Sequence, residues 1–329
     1  MSINARLART ALALAVLAVA IIAVSRARAE DYPARSIRLV LPYNPGGIVD
    51  YVGRQIGQGL SQASGQSVVP ENKPGAGGII GTRTVATSDP DGYTLLVMDP
   101  AIVINPLIQT EVGYDLVKDL RVVSVVSSSP LVLVATPSLP VASVKDLVDY
   151  ARSHPGELNY ASAGVGTTPH LAGELLRMRT GVDVTHVPYR GIAGSFADLM
   201  TAKVQFSFSG IPGAKPLTDD RRLRALATTG SRRSAAYPDL PTVIETGLAG
   251  FDVDLWIAVF APSATPAAVI ERVNAMLKQS LGDPAAQAAL AKFGVEPRVT
   301  SPADGAAFVS AEYQKWRKVV ETAHLKLQP

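Results

Sequence analysis

The chain has 329 residues, 47% of them hydrophobic, no cysteine, and a formal net charge of +3. Without cysteine there is no disulfide framework, no thiolate nucleophile and no lipid attachment through sulfur. The four arginines before Glu30 carry the basic excess, and the remainder holds 27 Lys and Arg against 28 Asp and Glu, a balance that speaks against nucleic acid as a partner.

Arg6 and Arg9 precede an uncharged run from Ala11 to Val24, and Ala27-Arg28-Ala29 forms a small-x-small cleavage pattern. Residues 1–29 read as a removed signal peptide, because the apolar run is short for a membrane anchor, and an exported protein is expected. About 300 residues remain, more than a single hydrophobic core usually holds, so two lobes are predicted.

Apolar runs then alternate with helical patterns, the signature of parallel α/β units. Ile37, Leu39, Val40 and Leu41 read as a buried strand, while Val52, Ile56 and Leu60 recur at helical spacing. Tyr43 to Asp50 must turn between them, at the strand's carboxyl end, where an open α/β sheet places its ligand crevice. Gly46 and Gly47 put no Cβ in the way, and the following helix offers unpaired N–H groups and the positive end of its dipole, so a small anion is the natural guest. A tight turn with Asp50 as helix N-cap accounts for the same residues without a ligand.

Ser67 to Glu71 reads as a second strand, Lys73 to Gly78 as a glycine-rich turn, Ile79 to Thr87 as a helix and Tyr93 to Met98 as a third strand. Asp99, Pro100 and Asn105 follow on the ligand side. Val122 to Val126 and Leu131 to Thr136 are two further apolar runs, and the serine step Ser127 to Ser129 marks a lobe boundary. A helix from Val144 to Ser153, a strand from Leu158 to Ala161 and a turn from Ser162 to His170 repeat the opening arrangement. Thr168 is a suitable N-cap with Pro169 at the first helical position, followed by a buried stripe of Leu171, Leu175 and Met178. Val182 to Val187, Val204 to Phe208 and Leu223 to Thr228 supply the remaining strands of this half. Val253 to Phe260 returns, and three helices finish the chain near 267–280, 284–292 and 303–322. Two α/β lobes joined by two crossing strands can close on a carboxylate, gripping it with backbone N–H groups and with Asn44, Thr167 or Thr168.

The ordered strings Pro42-Tyr-Asn-Pro-Gly-Gly-Ile-Val-Asp50, Val69-Pro-Glu-Asn-Lys-Pro-Gly-Ala-Gly-Gly78, Pro90-Asp-Gly-Tyr-Thr-Leu-Leu96, the stretch from Asn159 to Glu174, His186-Val-Pro-Tyr-Arg-Gly191 and Pro238-Asp-Leu-Pro-Thr242 resemble the Bug family. These are the extracytoplasmic solute receptors of tripartite tricarboxylate transporters, and the likeness runs from about Tyr32 to the end. The resemblance implies an α/β fold of the periplasmic binding protein type II kind, with the last helices packed back on the first lobe. It implies a soluble periplasmic monomer without a cofactor, which captures an organic acid, aromatic carboxylate or acidic amino acid for membrane transporter subunits. On this reading residues 30–128 with 252–329 form lobe 1 and residues 129–251 form lobe 2. Carried over by position, Tyr43 to Asp50 and Ala163 to His170 are the two jaws. The candidate ligand-binding residues are Tyr43, Asn44, Gly47, Ile48, Asp50, Asp99, Asn105, Ala163, Gly166, Thr167, Thr168, His170, Tyr189 and Ser209.

The chain departs from the family pattern at three places. Ser209 stands where relatives commonly carry an acidic residue, the loop from Gly210 to Arg222 lacks the usual Ile-x-x-Gly-Lys, and Asp99 replaces a small polar residue. Asp99 either meets an amino or other positive group on the ligand or is a solvated turn residue before Pro100. Tyr189 either faces the ligand or is a packed aromatic. His170 and His186 match no metal-ligand spacing, so no metal is expected. Two rival readings stay open: an enzyme pairing Asp50 and His170 as base and acid, and a receptor whose loaded form signals to a sensor protein.

Overall fold

The computed structural model describes residues 32–109 and 111–323; the signal peptide assigned to residues 1–29 lies outside the described residues. Strand β1 (Ile37–Leu41) is buried along almost its whole length and pairs in parallel with β2 (Val68–Asn72) on one side and β3 (Thr94–Met98) on the other. Between β1 and β2 runs α1 (Ile48–Ser64), whose Val52, Ile56 and Leu60 are fully buried and whose carboxyl end stops at Gly65 in the left-handed conformation. The pattern of apolar positions thus forms the predicted unit. Helix α2 (Ile79–Ala86) and helix α3 (Ala101–Ile108) complete this first set.

The two apolar runs expected on either side of Ser127 to Ser129 are one strand, β4, of 16 residues from Leu120 to Ala135. The serines do not break it, because Ser127 and Ser129 are buried and stay in the ladder. What changes is the partner. Leu120 to Pro130 lies antiparallel to β9 (Asp254–Pro262), and Leu131 to Ala135 lies antiparallel to β7 (Phe206–Gly210), with β8 (Arg224–Thr228) also on this half. Strands β5 (Leu158–Ser162) and β6 (Val184–Pro188) run parallel beside β7. The full order is β2-β1-β3-β9-β4-β7-β5-β6, with β8 and the two-residue β10 (Glu296–Pro297) on β4. A second link follows from the Val253 N–H, which donates to Thr229 O. The fold is therefore two α/β halves that share β4 and are joined again before β9.

The helices of the second half are α4 (Val144–Ser153), α5 (Thr168–Thr180), α6 (Phe196–Met200) and α7 (Ile211–Asp219). Helices α8 (Ala267–Gly282), α9 (Pro284–Ala291) and α10 (Pro302–Ala323) end the described chain, with α8 against α1 and α10 against α3 and β4. Among the described residues no helix is long and apolar enough to cross a membrane.

Two helices were not expected, α3 and α7, and each contains an internal proline, Pro106 and Pro216. A proline leaves the carbonyl four residues earlier without its helical donor. For Pro106 that carbonyl is Ile102 O, and the Tyr114 hydroxyl donates to it at 3.2 Å. Met178, expected on the buried stripe of α5, is 53% exposed, and Leu176 takes the inward place.

Gly81 lets α2 lie directly on the chain leaving β1: a Cβ there would stand 2.7 Å from Pro42 Cβ and 2.9 Å from Pro42 Cα. Neither atom can swing away. Gly81→Ala is expected to cost about 1–3 kcal/mol and to lower the midpoint of thermal unfolding by several degrees. Gly282→Ala, where nothing lies within 4 Å, serves as the control and leaves the midpoint unchanged or raised.

Candidate functional site

The first jaw begins where β1 stops. Gly46 takes a φ of 94° and Gly47 is the N-cap of α1 without any side-chain cap, so the first N–H groups of that helix keep no partner from a capping side chain. Asp50 is not the N-cap. It sits inside the first turn, accepts the Gly46 N–H at 3.0 Å, pairs with Arg54 at 2.9 Å and accepts from Asn72 Nδ2 at 3.0 Å. Burial opposes its charge, but Arg54, the Gly46 N–H and Asn72 outweigh it and hold the Asp50 carboxyl below its ordinary value. Asn72 also donates to Tyr43 O at 2.9 Å, so the end of β2 braces both ends of the turn.

Asp99 follows β3 and is 2% exposed, which overturns the reading of a solvated turn residue. Its Oδ1 accepts from the Tyr43 hydroxyl at 2.9 Å and from the Ala101 N–H at 3.0 Å. Burial pushes its carboxyl up to about 6 against the pull of those two donors, and burial beside Asp99 pushes the Tyr43 phenol up as well.

The second jaw leaves β5 at Ser162 and turns through Gly164 and Gly166, at φ 128° and 80°. Thr167, not Thr168, is the N-cap of α5; its Oγ1 donates back to Gly164 O at 2.6 Å and caps no helical N–H. Thr168 Oγ1 is buried and has no hydrogen-bond partner among the described residues. His170 Nδ1 accepts the Gly166 N–H at 3.2 Å and its ring stands 4.2 Å from that of His186. His186 Nε2 meets Ser162 Oγ at 2.6 Å, and Glu174 beneath joins Tyr160 Oη and Arg177, each at 2.6 Å. The two imidazoles thus hold the turn from below.

The jaws touch. Asn44 N–H donates to Arg190 O at 3.0 Å, a Cβ on Gly77 would lie 2.3 Å from Val165 O, and one on Gly166 would lie 2.0 Å from Asn105 Oδ1. Between them is a cavity of ≈ 20 Å³, little more than one water needs. Of the residues picked out in the sequence, Tyr43, Asn44, Gly47, Ile48, Asp50, Asp99 and Ala163 line it. Val49 and Pro169, inside the two jaw stretches, also line it, and Ile192, Gly210 and Leu255 complete the wall and were not anticipated. Gly210 adjoins Ser209, which was.

The remaining candidates stand behind the wall. Asn105 and Gly166 form the contact between halves, while Thr167, Thr168 and His170 lie at the start of α5. Tyr189 is a packed aromatic whose hydroxyl donates to Asp198 at 2.7 Å, and Ser209 is buried in β7 against Ser207 Oγ at 2.7 Å. No group of three or more His, Asp or Glu gathers into a metal-holding cluster among the described residues. A larger cavity of ≈ 730 Å³, between Tyr114 to Val122 and α10, has no residue of either jaw turn in its wall.

The model of the tripartite tricarboxylate transporter family receptors matches residues 52–325. The chain belongs to this family. Protein BugT of Bordetella pertussis is 34% identical over 302 residues, covering 91% of this chain and 93% of BugT. Rpa4515 of R. palustris, solved with adipate, is 38% identical with a TM-score of 0.87 over 89% of this receptor and 99% of that chain. MatC from Rhodopseudomonas palustris, solved with bound malate, is 30% identical with a TM-score of 0.84 over 88% and 100% of the two chains.

The receptor's imidazoles carry a pH dependence. Burial, then the neighbouring His170 ring, bring His186 down to about 3 against the pull of Glu174, and burial lowers His170 too. Unfolded histidine titrates near 6.5. Their contribution to stability is therefore whole above about pH 6.5 and is lost as pH falls from there toward the folded values. Asp50 and Glu174, also lowered, lose theirs only in more acidic solution. Chemical unfolding at pH 6.5 and 4.5 is expected to show a loss that His186→Asn reduces by on the order of 2 kcal/mol, after discounting for partial exposure.

Proposed function

We propose that this receptor captures a small carboxylate in the periplasm, between the Tyr43–Gly47 and Ala163–Thr167 turns, and presents it to the membrane subunits of a tripartite tricarboxylate transporter. The observation that carries this reading is that both glycine turns reach one cavity, the first with Tyr43, Asn44 and Gly47 and the second with Ala163. Each precedes a helix that no side chain caps. Helix N-termini of this kind attract anions, and each charge-assisted hydrogen bond contributes about 1.5–3 kcal/mol net, so a handful reaches micromolar affinity after ordering losses. The adipate and malate found with Rpa4515 and MatC support the same ligand class.

Binding rather than turnover fits the side chains. Asp50 is committed to Arg54, Asn72 and the Gly46 N–H, and His170 is outside the cavity wall, so the two do not face each other across a guest as base and acid. The lobe division at residues 128 and 252 is supported by the change of β4 partners at Pro130 and Leu131. Since the closed cavity is too small for a metabolite, capture requires the lobes to part about β4 and the Thr229–Asp254 link.

Thermal-shift and calorimetric titration of residues 30–329 with adipate, malate and aromatic carboxylates tests the reading, and a saturating ligand raises the unfolding midpoint. Gly213 provides a test of closure. Its Cβ would stand 2.6 Å from Gly46 O, across the cleft, while its backbone lies within α7. Gly213→Ala is expected to weaken binding by about tenfold or more, close to 1.4 kcal/mol, and the unliganded midpoint is measured beside it because the same Cβ meets the Phe196 ring at 3.1 Å.

A further inference from the structure

The cavity wall holds a carboxylate that no cation neutralises among the described residues. Asp99 lines the cavity at 2% exposure, and its two donors, the Tyr43 hydroxyl and the Ala101 N–H, are uncharged. The titratable side chains facing it are Tyr43 and Tyr114, both phenols held neutral by burial. No residue of the wall is Lys, Arg or His, and the second carboxylate there, Asp50, already has Arg54 at 2.9 Å. Asp99 forms no ion pair among the described residues. A carboxylate enclosed without a cation is costly, and a wholly anionic guest would add a like charge within the same small space.

We propose that Asp99 is a cation subsite and that the ligand is a zwitterionic carboxylate, an amino acid or a related compound whose positive group pairs with Asp99 while its carboxylate meets the jaw turns. This rests on the reading that the cavity takes a carboxylate. The geometry divides the two roles. Asp99 stands at the end of β3, joined to the first jaw through Tyr43, whereas the uncapped N–H groups in the cavity wall belong to Ile48 and Val49 at the start of α1. Ile48, Val49, Ile192 and Leu255 supply apolar wall for the carbon skeleton between the charges. Burial raises the Asp99 carboxyl to about 6, which leaves it ionised at pH 7.5 and ready for a cation.

The test uses matched pairs that differ in the charged group: malate with aspartate, and adipate with 2-aminoadipate, titrated calorimetrically at pH 7.5 into the wild-type receptor and Asp99→Asn. Asparagine keeps an acceptor oxygen for Tyr43 and Ala101, so the turn is retained, and the unliganded unfolding midpoint checks this. In the wild type the aminated member of a binding pair is expected to bind about tenfold or more tightly, and Asp99→Asn to bring the ratio below about threefold. Equal or reversed affinities in the wild type overturn the cation subsite while leaving carboxylate capture standing, as does a ratio that survives Asp99→Asn in a folded variant. If no carboxylate binds at all, capture itself fails and the subsite with it.

Discussion

Main chain packed on main chain across the cleft is the constraint on which the rest of this molecule depends. Gly77 faces Val165 O, Gly164 faces Gly77, and Gly213 faces Gly46 O, each so closely that a single methyl group would collide. Only residues without a Cβ permit that approach, and several of them need positive φ as well. The glycines therefore do two things with one property. They form the sharp turns that start α1 and α5, and they let the same turns come together until a space of ≈ 20 Å³ remains.

The polar groups around that space follow a consistent division. Those that shape the turns are satisfied from within their own half: Asp50 by Arg54 and Asn72, Thr167 by Gly164 O, His170 by the Gly166 N–H. Rigid turns present their amides in a fixed direction, so little ordering remains to be done when an anion arrives. The charge left over, that of Asp99, stands in the cavity wall where a guest or its hydration would meet it, while the unpartnered Thr168 hydroxyl lies behind that wall.

Much of the fold was legible in the residues because its units are regular. The β1-turn-α1 unit is written as a buried strand, two glycines and apolar positions at helical spacing, and it forms as written. The parts that were not legible have specific physical reasons. Prolines 106 and 216 argue locally against α3 and α7, but distant groups such as the Tyr114 hydroxyl satisfy the carbonyl that Pro106 strands. The serine step inside β4 looks like a break only because local composition does not reveal that both faces are covered. At the site, glycine turns announced the jaws, whereas Ile192 and Leu255 come from a short turn and a returning strand that carry no motif of their own. Arg54 was visible four residues after Asp50, a helical ion-pair spacing, and Asn72 became relevant only through the register Leu41 to Asn72.

The unbroken β4 has a mechanical meaning. A strand laddered into both sheets cannot lengthen, but its natural twist can vary by several degrees per residue while its hydrogen bonds survive. It behaves as a torsion bar, with one sheet clamped at each end. Rotation about such a bar would keep each half's own sheet intact and act first on the contacts between halves, such as the Asn44 N–H to Arg190 O hydrogen bond.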